Sequence, residues 1–179
     1  MRYVPNALTI ARLVAIPIFI VVLWEAPSGH SVTAAIIFGL AAITDWFDGY
    51  LARRYQVQSR FGRLADPLAD RLLIGSAVII LYVHDRIPLF VPILVIGRDL
   101  ILISGLGLAA ERGYELSVIY LGKAATFVLM ASLFFLMLTE PSTVWPKILL
   151  YVGIGLSLAA GGVYIATVSR RLGKPSSSA

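Results

Sequence analysis

The chain is cut into long apolar runs by short polar connections, and that segmentation restricts its fold more than any other feature. A helix that crosses a bilayer needs about 20 mostly apolar residues. Six stretches have that character: Leu8 to Trp24, Val32 to Phe47, Leu64 to Tyr82, Phe90 to Ala110, Val118 to Leu138 and Val144 to Val168. The second is short because its inner end continues into the charged "DGYLARR". Charged residues make up only 14% of the chain, against about a quarter in an ordinary soluble domain. Mean hydropathy is +0.86. In hydrocarbon every backbone polar group must be satisfied within the segment, which leaves helices for runs of this length. The expectation is an all-α, polytopic integral membrane protein with six transmembrane helices. It forms one domain over residues 1–170, followed by a disordered tail, 171–179, that lacks apolar anchors. No small-x-small cleavage pattern follows Leu8 to Trp24, so that run is read as a retained first span.

Charge asymmetry sets the expected orientation. In a six-span arrangement Arg2, Arg53, Arg54, Arg60, Arg63, Arg112, Arg170, Arg171 and Lys174 fall on one side, and Arg86 and Lys147 on the other. The positive-inside rule then places both termini on the cytoplasmic side of the cell membrane, with Trp24, Tyr82 and Trp145 as an outer aromatic belt. The net charge of +5 reports topology. No groove-reading or aromatic-basic pattern points to nucleic acid. Cysteine is absent, which excludes disulfides, thiolate metal sites and a Cys nucleophile.

Against this background "TDWFDGYLARRYQVQSRFGRLADPLAD", Thr44 to Asp70, stands out. Asp45 and Asp48 are three apart and Asp66 and Asp70 four apart, so each pair shares a helix face. The pairs lie at facing ends of consecutive spans, and antiparallel packing would bring all four together. That much negative charge near hydrocarbon needs a cation among it. Ion pairs with Arg53, Arg54, Arg63 and Arg71 are one answer. Hard divalent cations are the other: Mg²⁺ takes oxygen ligands from a few carboxylates and substrate phosphates, and two metals about 3.5–4 Å apart suit displacement at phosphorus. Gly49 and Gly62 leave room for a ligand near the backbone, or for close helix packing.

The pattern Asp45-x-x-Asp48-Gly49-x-x-Ala52-Arg53, eight residues, Gly62-x-x-x-Asp66-x-x-x-Asp70 resembles the signature of the CDP-alcohol phosphatidyltransferase family at every fixed position. "PNALTIARLVAIP", "DPLAD" and "GKAAT" resemble the branch that makes phosphatidylglycerophosphate or cardiolipin. The resemblance implies two divalent ions, Mg²⁺ or Mn²⁺, held by Asp45, Asp48, Asp66 and Asp70, with Asp70 also the general base. It implies that Gly49, Ala52, Arg53 and Gly62 contact the CDP group, and that the enzyme is a homodimer in the membrane lipid. The substrates it implies are CDP-diacylglycerol and glycerol 3-phosphate, with phosphatidylglycerol, as in cardiolipin synthase, the alternative acceptor. Arg12, Arg98 and Lys123 are cations within apolar spans. They serve either as a pocket for the acceptor's phosphate or as counter-charges for the aspartates and Asp99. A reading of another class is an ion carrier, but carrier sites lie near the midplane and these acids sit at one boundary. His30 and His84 fall in outer loops and are assigned no role.

Overall fold

The computed structural model describes the backbone over residues 4–55, 60–111 and 120–172, and side chains over 11–44, 68–101 and 120–163. Among the described residues the regular structure is helical only: α1 (Val4–Trp24), α2 (Val32–Tyr55), α3 (Arg60–Val83), α4 (Phe90–Glu111), α5 (Tyr120–Leu138) and α6 (Trp145–Leu172), with one 3-10 turn at Pro27–Gly29. Each of the six apolar runs falls on its own helix over the described residues; Val118 and Ile119 lie outside those residues, and Val144 precedes α6. The second helix continues through "DWFDGYLARRY" to Tyr55, so the charged inner end extends the helix beyond the apolar run. The tail expected at 171–179 lies outside the described residues from 173 onward.

Local signals account for the helix ends. Ser31 caps α2, its Oγ accepting the Ala34 N–H at 3.1 Å, which satisfies one of the orphan donors of a helix start. Pro146 stands in the first turn of α6, where a missing N–H costs nothing. The tight link between α1 and α2 turns through Ser28 and Gly29, with φ of 56° and 62°, and there glycine is the residue that meets no steric penalty.

The helices alternate in direction. Edge contacts join the end of α1 to the α3–α4 link (Trp24 to His84, 6.4 Å) and the end of α5 to the start of α6 (Phe135 to Trp145, 4.8 Å). The core runs between them: Phe19, Leu23, Phe38, Leu73, Val78, Leu81, Leu133 and Leu136 are fully buried or nearly so, and Phe19 meets Phe38 at 5.6 Å. α5 packs most extensively on α6, where a side chain at Gly153 would come within 3.1 Å of Leu129. Small residues permit this kind of approach between apolar helices.

The outside of the bundle is apolar as well. Val14, Ile18, Ile36, Leu40, Ile79, Ile93, Leu100, Phe127, Ile148, Val152 and Leu158 are exposed. A soluble monomer rarely presents so much contiguous apolar surface, whereas a lipid-facing bundle requires it. Among the described residues α5 and α6 are each long and apolar enough to cross a membrane, and α1 and α2 carry shorter apolar stretches, Ala11–Trp24 and Val32–Thr44.

Candidate active site

The aspartates are placed by helix register. Asp45 lies ten residues before Tyr55, the end of α2, and Asp48 seven before it. Asp66 lies six residues after Arg60, the start of α3, and Asp70 ten after it. At 1.5 Å per residue the two pairs sit about 9–15 Å from their helix ends, at matching levels. α2 and α3 each pack extensively on α1 and meet each other at few points. α1 is therefore a shared neighbour of the two acid-bearing helices. The side chains of Asp45, Asp48, Gly49, Ala52, Arg53, Gly62 and Asp66 lie outside the described residues.

Asp70 is described, and it faces α1. Its Oδ1 lies 3.7 Å from Nη1 of Arg12, whose side chain is fully buried while that of Asp70 is 33% exposed. The structure thus places Arg12 against a signature aspartate, within ion-pair distance. A buried guanidinium beside a partly exposed carboxylate favours its ionised form by Coulomb attraction.

Arg98 lies elsewhere. On α4 it neighbours Asp99, with Nη1 3.7 Å from Oδ1. The same oxygen receives Nη1 of Arg71, from α3, at 2.8 Å. Asp70 and Arg71 are consecutive, so they project about 100° apart around α3: one toward α1, the other toward α4. Lys123, in the first turn of α5, is exposed and stands over the Tyr120 ring at 5.8 Å. Among the described residues it forms no ion pair with Asp70 or Asp99.

A groove of about 320 Å³ opens between α1 and α2, lined by Ala11, Arg12, Ala15, Ile18, Ile37, Leu40, Ala41 and Thr44. It is apolar except at the end formed by Arg12 and Thr44. Thr44 directly precedes Asp45, so that polar end leads to the acidic stretch of α2.

The residues that sequence reasoning undervalued are Arg71, Asp99 and, at the opposite end, Arg86 and His30. Asp99 was visible as an acid within an apolar span, a signal of function. Arg71 was hidden among the arginines of the loop region. Arg86 and His30 close the far end of α5, where the last four carbonyls have no partner within the helix. Arg86 donates to the carbonyls of Leu136 and Thr139. His30 Nε2 donates to Leu138 at 3.2 Å, in the tautomer protonated there. Ser31 N–H donates to Met137 at 2.9 Å, and Thr139 N–H to Phe135 at 2.9 Å. Burial holds the Arg86 guanidinium below its ordinary pKa, and nearby Glu140 opposes that shift.

Comparison with known proteins supplies the context. The model of the family described as CDP-alcohol phosphatidyltransferase matches residues 2–159. The probable phosphatidylglycerophosphate synthase of Mycobacterium tuberculosis is 38% identical over 94% of this chain and 82% of its own length. The CDP-diacylglycerol–glycerol-3-phosphate 3-phosphatidyltransferase of Rickettsia typhi is 34% identical over 92% of this chain and 96% of its own. The protein of the same name from Shigella flexneri is 35% identical over 88% and 86%. With its eight signature residues carried by two helices that pack on a common third, and with a family match over most of its length, the chain belongs to the CDP-alcohol phosphatidyltransferase family.

Proposed function

We propose that this protein is a phosphatidylglycerophosphate synthase, which transfers the phosphatidyl group of CDP-diacylglycerol to glycerol 3-phosphate and releases CMP. Relatives named for that reaction align along most of the chain. The observation that carries the reading is the position of Asp70. It lies level with Asp45, against buried Arg12, beside a groove that is apolar along its length and polar at its inner end. The donor is built the same way, with acyl chains for the apolar part and a charged nucleotide diphosphate for the polar end. On this reading all six helices span the membrane, and both termini and the aspartate end face the cytoplasm, as the Lys/Arg asymmetry favours.

The family uses a divalent metal, and the donor set here suits a hard one. The signature positions offer carboxylate oxygen only. The chain has no Cys, and His30 and His84 sit at the opposite end of the bundle. Such a set favours Mg²⁺ or Mn²⁺, held by Asp45, Asp48, Asp66 and Asp70 as a pair of ions. When bound, the metal neutralises the donor's diphosphate and stabilises the leaving oxygen. The remaining work falls to side chains. Asp70, oriented by Arg12, takes the proton from the acceptor hydroxyl. That oxygen attacks the phosphorus bonded to diacylglycerol; the bond from this phosphorus to the oxygen of CMP breaks, and its electron pair leaves with CMP. Gly49, Ala52, Arg53 and Gly62 line the path of the CDP group, and Arg98 attracts the acceptor's phosphate.

The test is a reaction of the purified protein with CDP-diacylglycerol and Mg²⁺. Glycerol 3-phosphate should give CMP and phosphatidylglycerophosphate, identified by mass spectrometry. Cardiolipin from added phosphatidylglycerol, with no product from glycerol 3-phosphate, would replace the acceptor. Absence of CMP with every acceptor would overturn the reading, and the ion-carrier alternative would return.

A further inference from the structure

Two guanidinium groups, from different helices, converge on one oxygen of Asp99. Arg71 Nη1 reaches it at 2.8 Å and Arg98 Nη1 at 3.7 Å. All three side chains are mostly buried, with exposures of 28%, 14% and 17% for Arg71, Arg98 and Asp99. A counter-charge for a cation in an apolar helix requires one carboxylate per arginine. Here one carboxylate serves two, and the cluster keeps a net positive charge. Two guanidiniums carry ten N–H donors between them, more than one carboxylate can accept. Consistent with that shortage, Nε of Arg98 is buried with no hydrogen-bond partner. A partly buried site with surplus charge and surplus donors is complementary to an anion with several acceptor oxygens, such as a phosphate monoester.

The place of the cluster narrows its use. Arg71 follows Asp70 directly on α3. One turns to Arg12 on α1 and the next to Asp99 on α4. The Asp70 carboxylate and the two-arginine cluster are thus carried by consecutive residues of α3, one suited to a hydroxyl and the other to a phosphate. The acceptor of the proposed reaction has those two groups on a three-carbon skeleton.

We propose that Asp99 is a positioning residue that holds Arg71 and Arg98 together as a two-pronged clamp for the phosphate of the acceptor. Arg71 joins Arg98 as a binding residue, and Asp99 acts through them without touching the substrate. A single carboxylate oxygen draws guanidiniums from α3 and α4 into one place, which neither would occupy alone against the repulsion of the other. Lys123, exposed over Tyr120, is not part of the clamp. The inference rests on the phosphatidyltransferase reading above and adds to it the selection of a phosphorylated acceptor.

The test is steady-state kinetics of the full-length protein in detergent, varying donor and acceptor separately, with isothermal titration of glycerol 3-phosphate to the donor-free protein. Asp99→Asn should raise the acceptor KM about tenfold or more and weaken the titrated affinity by a similar factor, with the donor KM changed less than about twofold. Asp99→Glu should recover most of the loss, since it restores the charge that gathers the arginines. Arg71→Lys keeps the charge and loses the fork. It should raise the acceptor KM severalfold at an unchanged melting temperature, and it decides the matter should Asp99→Asn not fold. An unchanged acceptor KM in either Asp99→Asn or Arg71→Lys overturns the proposal. So does a parallel rise in donor and acceptor KM in Asp99→Asn with no rescue by Glu, the pattern of a structural pair. Failure of the underlying reading is separate: the unmodified protein would then release no CMP with any acceptor.

Discussion

Arg86→Met should destabilise the fold and leave the chemistry alone. Arg86 is 3% exposed, and its Nη2 donates to the carbonyls of Leu136 and Thr139 at the end of α5. Met has comparable length and is apolar, so the substitution removes both hydrogen bonds while filling much of the space. Two charge-assisted bonds at about 1.5–3 kcal/mol each would suggest a loss of about 3–6 kcal/mol. The structure argues for less. Nε and Nη1 of Arg86 are buried with no hydrogen-bond partner, and burial lowers its pKa, so part of the gain is spent on desolvation that Met would not incur. A net loss of about 1.5–3 kcal/mol follows, because replacing a buried charge by an apolar group recovers its desolvation cost. For a chain of this size each kcal/mol moves the melting temperature by about 2–4 °C, giving a fall of about 3–12 °C. The assay is thermal unfolding in detergent, followed by tryptophan fluorescence, beside kinetics well below the transition. Donor and acceptor KM should stay within about twofold of the unmodified values, because Arg86 lies at the far end of the bundle from Asp70. An unchanged melting temperature would refute the account of Arg86 as the closure of α5. An altered acceptor KM at full stability would refute the separation of the two ends.

Three further outcomes test the site and its setting. Asp70→Asn should cut turnover roughly 10²–10⁴-fold while CDP-diacylglycerol still binds, measured by equilibrium binding beside kcat; near-normal turnover would remove Asp70 as the base. Activity should vanish in EDTA and return with Mg²⁺ or Mn²⁺, and full activity in a metal-depleted preparation would sink the metal assignment. Ser28→Cys, in the exposed link between α1 and α2, should react with an impermeant thiol reagent in intact cells while Ser59→Cys resists it. The reverse pattern would invert the proposed orientation.

Much of this molecule is written into its linear sequence. Apolar runs of helical length permit helices and little else where lipid replaces water, and over the described residues each of the six runs falls on its own helix, Val144 apart. The spacings of Asp45, Asp48, Asp66 and Asp70 carry the family signature, and the similar distances of the pairs from the end of α2 and the start of α3 follow from helix rise alone. The partners of those helices are another matter. Periodicity says little about which face of a helix meets which neighbour when the lipid-facing side is as apolar as the core, and for that reason the packing of both acid-bearing helices on α1 was not legible. The same holds for cations. Arg12, Arg71, Arg86 and Arg98 look alike as lone charges near or within apolar runs. Their environments differ only in the folded chain: Arg12 against Asp70, Arg71 and Arg98 on one oxygen of Asp99, Arg86 on the open carbonyls of α5. Coulomb attraction and hydrogen-bond geometry act over a few ångströms of space, and residues that share such a distance here stand far apart in the chain, as Arg12 and Asp70 do. Separation along the chain carries no record of that distance, so only the tertiary structure could decide it.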